Sequence, residues 1–110
     1  MFAKLDEVEK RFVWLETRLS DPKLAKLPQE FRQLSKERAE LVEIVETYRK
    51  FKLLQNEVEQ NKSLLEDKDA EIRAMAKDEY AGLRDALTQL ESQLKMLLLP
   101  MYLSSTVLLP

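Results

Sequence analysis

The chain has 110 residues, 35% of them charged and 45% apolar, with one glycine, four prolines and a net charge of -2. A β-rich fold needs glycine for its reversals, so this mixture, rich in Ala, Glu, Lys, Leu and Arg, predicts long helices. The charge balance argues against a large sequence-independent nucleic-acid footprint, and the lack of any cysteine or histidine removes disulfides, thiolates, the usual zinc ligands and the commonest general base.

In chain order, Lys4, Asp6, Glu7 and Glu9 interrupt the start, which has no apolar core of signal-peptide type, and a cytoplasmic protein is the default expectation. Leu5, Val8, Phe12, Leu15 and Leu19 repeat at spacings of three and four residues and predict a first helix over about 2–19. Val13 and Trp14 lie off that seam, which predicts a wider buried face than a two-stranded coil needs. Asp21 then caps a short turn with Pro22 at its first position.

Pro28 opens a second helix in the same way, reaching to about residue 66. Leu34, Leu41 and Tyr48 form one seven-residue series, and Ile44, Phe51, Val58 and Leu65 another. Gln55 and Lys62 take the places that come after Tyr48, so either the far end of the seam is wetter or the lysine stem packs while its ammonium reaches water.

Asp67 or Asp69 caps a third helix over about 70–98, with Ala76, Leu83, Leu90 and Leu97 on one series and Tyr80, Leu87 and Leu94 on the other. The short link implies a long antiparallel coiled-coil-like hairpin with the first helix packed on it, an all-α three-helix unit. Acidic residues stand four places before basic ones at Glu7/Arg11, Glu46/Lys50, Asp69/Arg73 and Glu91/Lys95. Such pairs add only ~0.2–0.5 kcal/mol each, so the apolar seam carries the fold. Gly82 inside the third helix marks either the close approach of another backbone or a tolerated weakness of ~1 kcal/mol.

Residues 101–110 carry no charge and no helical seam. They are read as an apolar tail, truncated or disordered. The uncharged run from Met96 is 15 residues long and holds Pro100, too short and interrupted for a membrane span.

No catalytic constellation is visible, and none of the residues points to a metal or a cofactor. The carboxylates sit at ordinary helical density, and Glu43, Glu46, Glu57 and Asp67 bind a cation only with help from elements that nothing supplies. Phosphate loops need several glycines. The most suggestive patch is Tyr48-Arg49-Lys50-Phe51-Lys52, basic residues interleaved with aromatics. The plainer reading puts Tyr48 and Phe51 in the seam and Arg49, Lys50 and Lys52 on its outer flanks. The sharper reading makes Arg49, Lys50 and Lys52 a weak contact for ribosomal RNA within a larger assembly.

The order of pieces over residues 1–100 resembles the N-terminal domain of bacterial class I peptide chain release factors. These pieces are Leu19-Ser20-Asp21-Pro22, then Phe31-Arg32-Gln33-Leu34-Ser35-Lys36-Glu37, and then Glu71-Ile72-Arg73-Ala74-Met75-Ala76-Lys77-Asp78-Glu79. The last are Leu90-Glu91 and Lys95-Met96-Leu97-Leu98-Leu99-Pro100. The ending looks more like release factor 1 than release factor 2. The resemblance implies translation termination at UAA and UAG. It also implies three partners: the stalk base of the ribosome, the GTPase release factor and, for the full-length protein, a glutamine methyltransferase. The family's Pro-x-Thr codon-reading motif and Gly-Gly-Gln hydrolysis loop are not in this sequence, so no catalytic residue carries over and the chain is not read as an enzyme. From Met101 onward it departs from the family pattern.

Two other readings compete: a coiled-coil arm like that of seryl-tRNA synthetase, and a self-associating helical scaffold. The wide first helix with Trp14 is the feature held against the two-helix arm.

Overall fold

A computed structural model describes residues 1–103. Its elements are α1 (Phe2–Leu19), a 3-10 turn (Pro22–Lys26), α2 (Pro28–Leu64) and α3 (Ala70–Leu103), with no strand among the described residues. The chain divides into two units, one formed by Met1–Glu46 with the end of α3 from Lys95, the other by Thr47–Leu94.

In the first unit α1 buries Leu5, Val8, Phe12 and Leu15, the three-and-four series expected of it. Trp14 does not join them: it is 47% exposed, as is Val13, so the buried face is the narrow seam alone. The expectation of a wide face is therefore corrected. A large indole is accommodated on the surface because the Arg11 guanidinium lies 4.5 Å from its ring centroid, a cation–π contact. With that correction, Trp14 no longer separates this fold from a two-helix arm.

Asp21 caps the 3-10 turn by accepting a hydrogen bond from the Lys23 amide at 2.9 Å, with Pro22 at the first position. The turn tucks Leu24 fully out of solvent. Beyond it the chain reverses into α2, and Leu41, Ile44 and Val45 complete the core with Leu98 of α3.

Charged pairs bind α1 to the first part of α2. Arg11 donates from Nε to Glu37 Oε2 at 2.6 Å and from Nη2 to Oε1 at 2.8 Å, a two-bond fork. Arg18 reaches Glu30 at 3.1 Å, so the two helices run antiparallel. Arg38 reaches Glu16 at 3.1 Å and covers the Phe12 ring at 4.9 Å. The expected Glu7/Arg11 pair is replaced: Arg11 is taken by Glu37, and Glu7 lies 3.8 Å from Lys4 instead. A bidentate partner on another helix outcompetes a single-turn neighbour held in water.

The second unit is an antiparallel hairpin of the far part of α2 and the near part of α3. Tyr48, Phe51, Val58, Ala76, Leu87 and Leu94 are its buried hydrophobic side chains. Asp67 Oδ1 accepts from the Asp69 amide at 2.9 Å and Asp69 Oδ1 from the Glu71 amide at 2.8 Å, so Asp69 is the cap of α3. The expected Asp69/Arg73 pairing gives way to a backbone clasp: Arg73 Nη1 donates to the carbonyls of Asp67 at 2.7 Å and Lys68 at 3.0 Å. These local bonds hold the link in its turn.

A Cβ built on Gly82 meets nothing within 4 Å. The glycine is a tolerated weakness and not a point of close approach. Helix α3 runs five residues past its expected end near Leu98 and carries Pro100 inside it. Proline so close to the last described turn forgoes a single backbone bond, to the Met96 carbonyl, and leaves the rest of the ladder intact. Met101, Tyr102 and Leu103 are thus helical, and the rest of the expected tail, 104–110, lies outside the described residues.

Candidate functional site

The basic and aromatic segment lies on α2 within the second unit. Tyr48 and Phe51 are buried, at 5% and 3% exposure, while Arg49, Lys50 and Lys52 are exposed. The aromatics thus face the hairpin seam and are closed to stacking by a base from outside. Lys52 folds back so that its Nζ lies 4.6 Å from the Tyr48 ring centroid.

The three cations do not make one patch. An α-helix turns about 100° per residue, so Arg49 and Lys52 share a flank while Lys50 points ~160° away from Lys52. What the segment offers is a pair of cations on one flank, Arg49 and Lys52, both engaged in contacts of their own.

A feature that reasoning from sequence missed sits further along the same helix. Asn61 is buried, at 4% exposure, and neither its Oδ1 nor its Nδ2 has a hydrogen-bond partner. It lines a shallow open groove of about 180 Å³ with Glu57, Gln60 and Leu64 of α2 and Glu79 and Leu83 of α3. Gln55 and Lys62, the polar residues expected at the seam, are exposed instead. The reason is register: the seven-residue series through Phe51 and Val58 is partnered three residues on, by Leu54 and Asn61, and not four residues on, by Gln55 and Lys62. The stripe passes through Leu54 and Asn61, one residue earlier in each heptad than Gln55 and Lys62. Thr47, which is also buried, begins that series seven residues before Leu54.

In the first unit an open depression lies at the start of α2, lined by Leu27, Pro28, Gln29, Glu30 and Gln33. Its one carboxylate, Glu30, is held by Arg18 at 3.1 Å. Among the described residues no three acidic or other ligating side chains gather to hold a metal ion. No helix of the described residues is long and apolar enough to cross a membrane. Arg11 has a clear shift: the Glu37 hydrogen bond raises its pKa, partial burial lowers it, and the Glu37 charge raises it further. This is the electrostatics of a structural clamp.

Helical seams, caps and exposed charged flanks give these units surfaces for contact. A family model described as the PCRF domain matches residues 8–106. The chain belongs to the PCRF domain family. The PCRF match takes in the greater part of α1, all of α2 and α3, and with them Arg11, Glu37, Arg49, Lys52 and Asn61.

The relatives of this PCRF domain include peptide chain release factor 1 of Maridesulfovibrio salexigens, 42% identical over 100 residues, which are 91% of this chain and 28% of the relative. Release factor 1 of Acidobacterium capsulatum is 38% identical over the same shares of the two chains. That of an Anaeromyxobacter species is 44% identical over 91% of this chain and 27% of its own length. The PCRF chain therefore spans little more than a quarter of the curated relatives it matches. No solved structure matches it.

Proposed function

We propose that the chain is the N-terminal domain of a bacterial peptide chain release factor 1 and works in the cytoplasm as a docking module of translation termination. The observation that carries this reading is the 42% identity with a release factor 1 over 100 residues, nearly the whole chain. In full length such a factor directs termination at UAA and UAG, and its Gly-Gly-Gln loop is the substrate of a glutamine methyltransferase. The present residues do none of that chemistry. Their role is to face the stalk base of the ribosome and to influence the GTPase release factor. Residues 1–100 are read as this domain, and the family match runs on past them to residue 106.

Arg49 and Lys52, on one flank of α2, are the residues proposed to meet ribosomal RNA, and Lys50 is a bystander on the other side. Two cations contribute a modest, salt-dependent share of affinity, in keeping with one contact among several. The test is co-sedimentation of the purified chain with ribosomes at low and moderate salt. The reading expects a pelleted fraction that falls as salt rises; a chain left wholly in the supernatant at low salt overturns it.

A second reading, self-association, has one observation in its favour. Met96, Leu99 and Leu103 share a face of α3 and are 72%, 51% and 79% exposed. An uncovered apolar stripe favours pairing with another surface. Light scattering over a concentration series checks it: a mass that stays monomeric removes this reading.

A further inference from the structure

The second unit carries two weak places at one level. On α2, Asn61 is nine-tenths buried with both polar atoms unpaired. On α3, Gly82 interrupts the helix with no neighbour to justify the missing side chain. Asn61 and Leu83, the residue after that glycine, line the same groove, which puts the two weaknesses across from each other. A buried amide without a partner disfavours the closed state, because opening returns both groups to water. A helix-interior glycine disfavours the closed state as well, because it gains the most backbone freedom on release.

The core is also divided at this level. Toward the stem, Tyr48, Phe51, Val58, Leu87 and Leu94 are buried. Toward the link, Ala76 is the one buried hydrophobic side chain, with Leu65 and Ile72 only half-buried. The link meanwhile is tied to itself by the Asp67 and Asp69 caps and the Arg73 clasp, contacts that stay within the tip.

We infer that the hairpin tip, from Asn61 to Gly82, opens as a unit of its own while the stem of the same hairpin stays packed. Opening of this kind is a sub-global event, lower in free energy than unfolding, and such segments are the ones able to reshape against a partner. The seam residues Tyr48, Phe51, Val58, Leu87 and Leu94 hold the stem closed throughout.

Native-state hydrogen exchange on the 110-residue chain tests this. Helical amides of 62–65 and 74–81 are expected to exchange at least tenfold faster than those of 51–58 and 84–94, with a weaker dependence on denaturant. Asn61→Leu slows the tip amides at least tenfold, and Gly82→Ala slows them severalfold should the first variant fold poorly. Leu87→Val speeds exchange in the stem and leaves the tip rates unchanged, since the stem contact survives tip opening. Equal rates in tip and stem overturn the inference. So does a Leu87→Val variant that speeds both alike, or a tip indifferent to both stabilising substitutions.

Discussion

The Arg11 guanidinium grips the Glu37 carboxylate through two hydrogen bonds, at 2.6 and 2.8 Å, across 26 residues of sequence. The fork joins α1 to α2 within the first unit, and Arg11 also covers the Trp14 ring at 4.5 Å. One side chain thus helps to tie two helices together and covers an exposed indole. Arg11→Ala is expected to lower stability by about 1 kcal/mol, the upper end for a partly exposed pair. Lysine does not replace the fork, because its single ammonium cannot present two parallel donors. Urea unfolding of Arg11→Ala, Glu37→Ala and the double variant measures this, and the double variant is expected to cost less than the sum of the two.

The alkaline behaviour of that pair is set by the raised pKa of Arg11. A base whose pKa is raised on folding contributes its full stability below the unfolded pKa and loses it only as pH climbs through the folded one. For a guanidinium both values lie above the working range. The difference in melting temperature between the parent chain and Arg11→Ala is therefore expected to be the same at pH ~7 and pH ~10. A difference that shrinks toward pH ~10 contradicts the assignment of the clamp to Arg11.

Gly82→Ala is expected to stabilise the chain. A Cβ there enters open space, so the substitution gains helix propensity of about 1 kcal/mol with no clash to offset it. For a chain of this size that is a rise of roughly 4 °C or more in melting temperature. A lowered melting temperature would show a backbone contact at this position.

Asp69→Ala removes the side-chain acceptor of the Glu71 amide, the cap of α3. The expected cost is about 1 kcal/mol, and Asp69→Asn is expected to recover most of it, because asparagine caps nearly as well. Thermal unfolding followed by circular dichroism reads both.

The helices were legible because their signals are local. Leu5, Val8, Phe12 and Leu15 declare one face, Pro22 and Pro28 declare starts, and Asp21 and Asp69 find their amides two residues on. The tertiary choices were not legible. Arg11 has an acidic neighbour at four residues but takes Glu37 on another helix, a pairing that no local count contains. Trp14 looks like core by residue type and is exposed by position. Asn61 escaped because the series through Ile44, Phe51 and Val58 has two possible partner series, three or four residues on, and the buried Tyr48 points to the one four residues on. The basic segment shows both sides: the aromatics were placed correctly in the seam, while the split of Lys50 from Arg49 and Lys52 emerges only when the three are set around the helix.

The flank formed by Arg49 and Lys52 yields a prediction of its own. Arg49→Ala with Lys52→Ala is expected to weaken ribosome binding severalfold and to flatten its salt dependence, while Lys50→Ala leaves both nearly unchanged. Helicity by circular dichroism is expected to stay at the parent level, since all three side chains are exposed. Equal effects of Lys50→Ala and the double substitution would count against the flank as the contact.

Peptide release from stop-codon ribosomes is the most direct measurement of the central claim, that this domain docks and breaks no bond. Excess chain added with an intact release factor 1 is expected to slow release by competing for the ribosome, and the chain alone is expected to release nothing. Release by the chain alone, or an intact factor untouched by saturating amounts of it, contradicts the account.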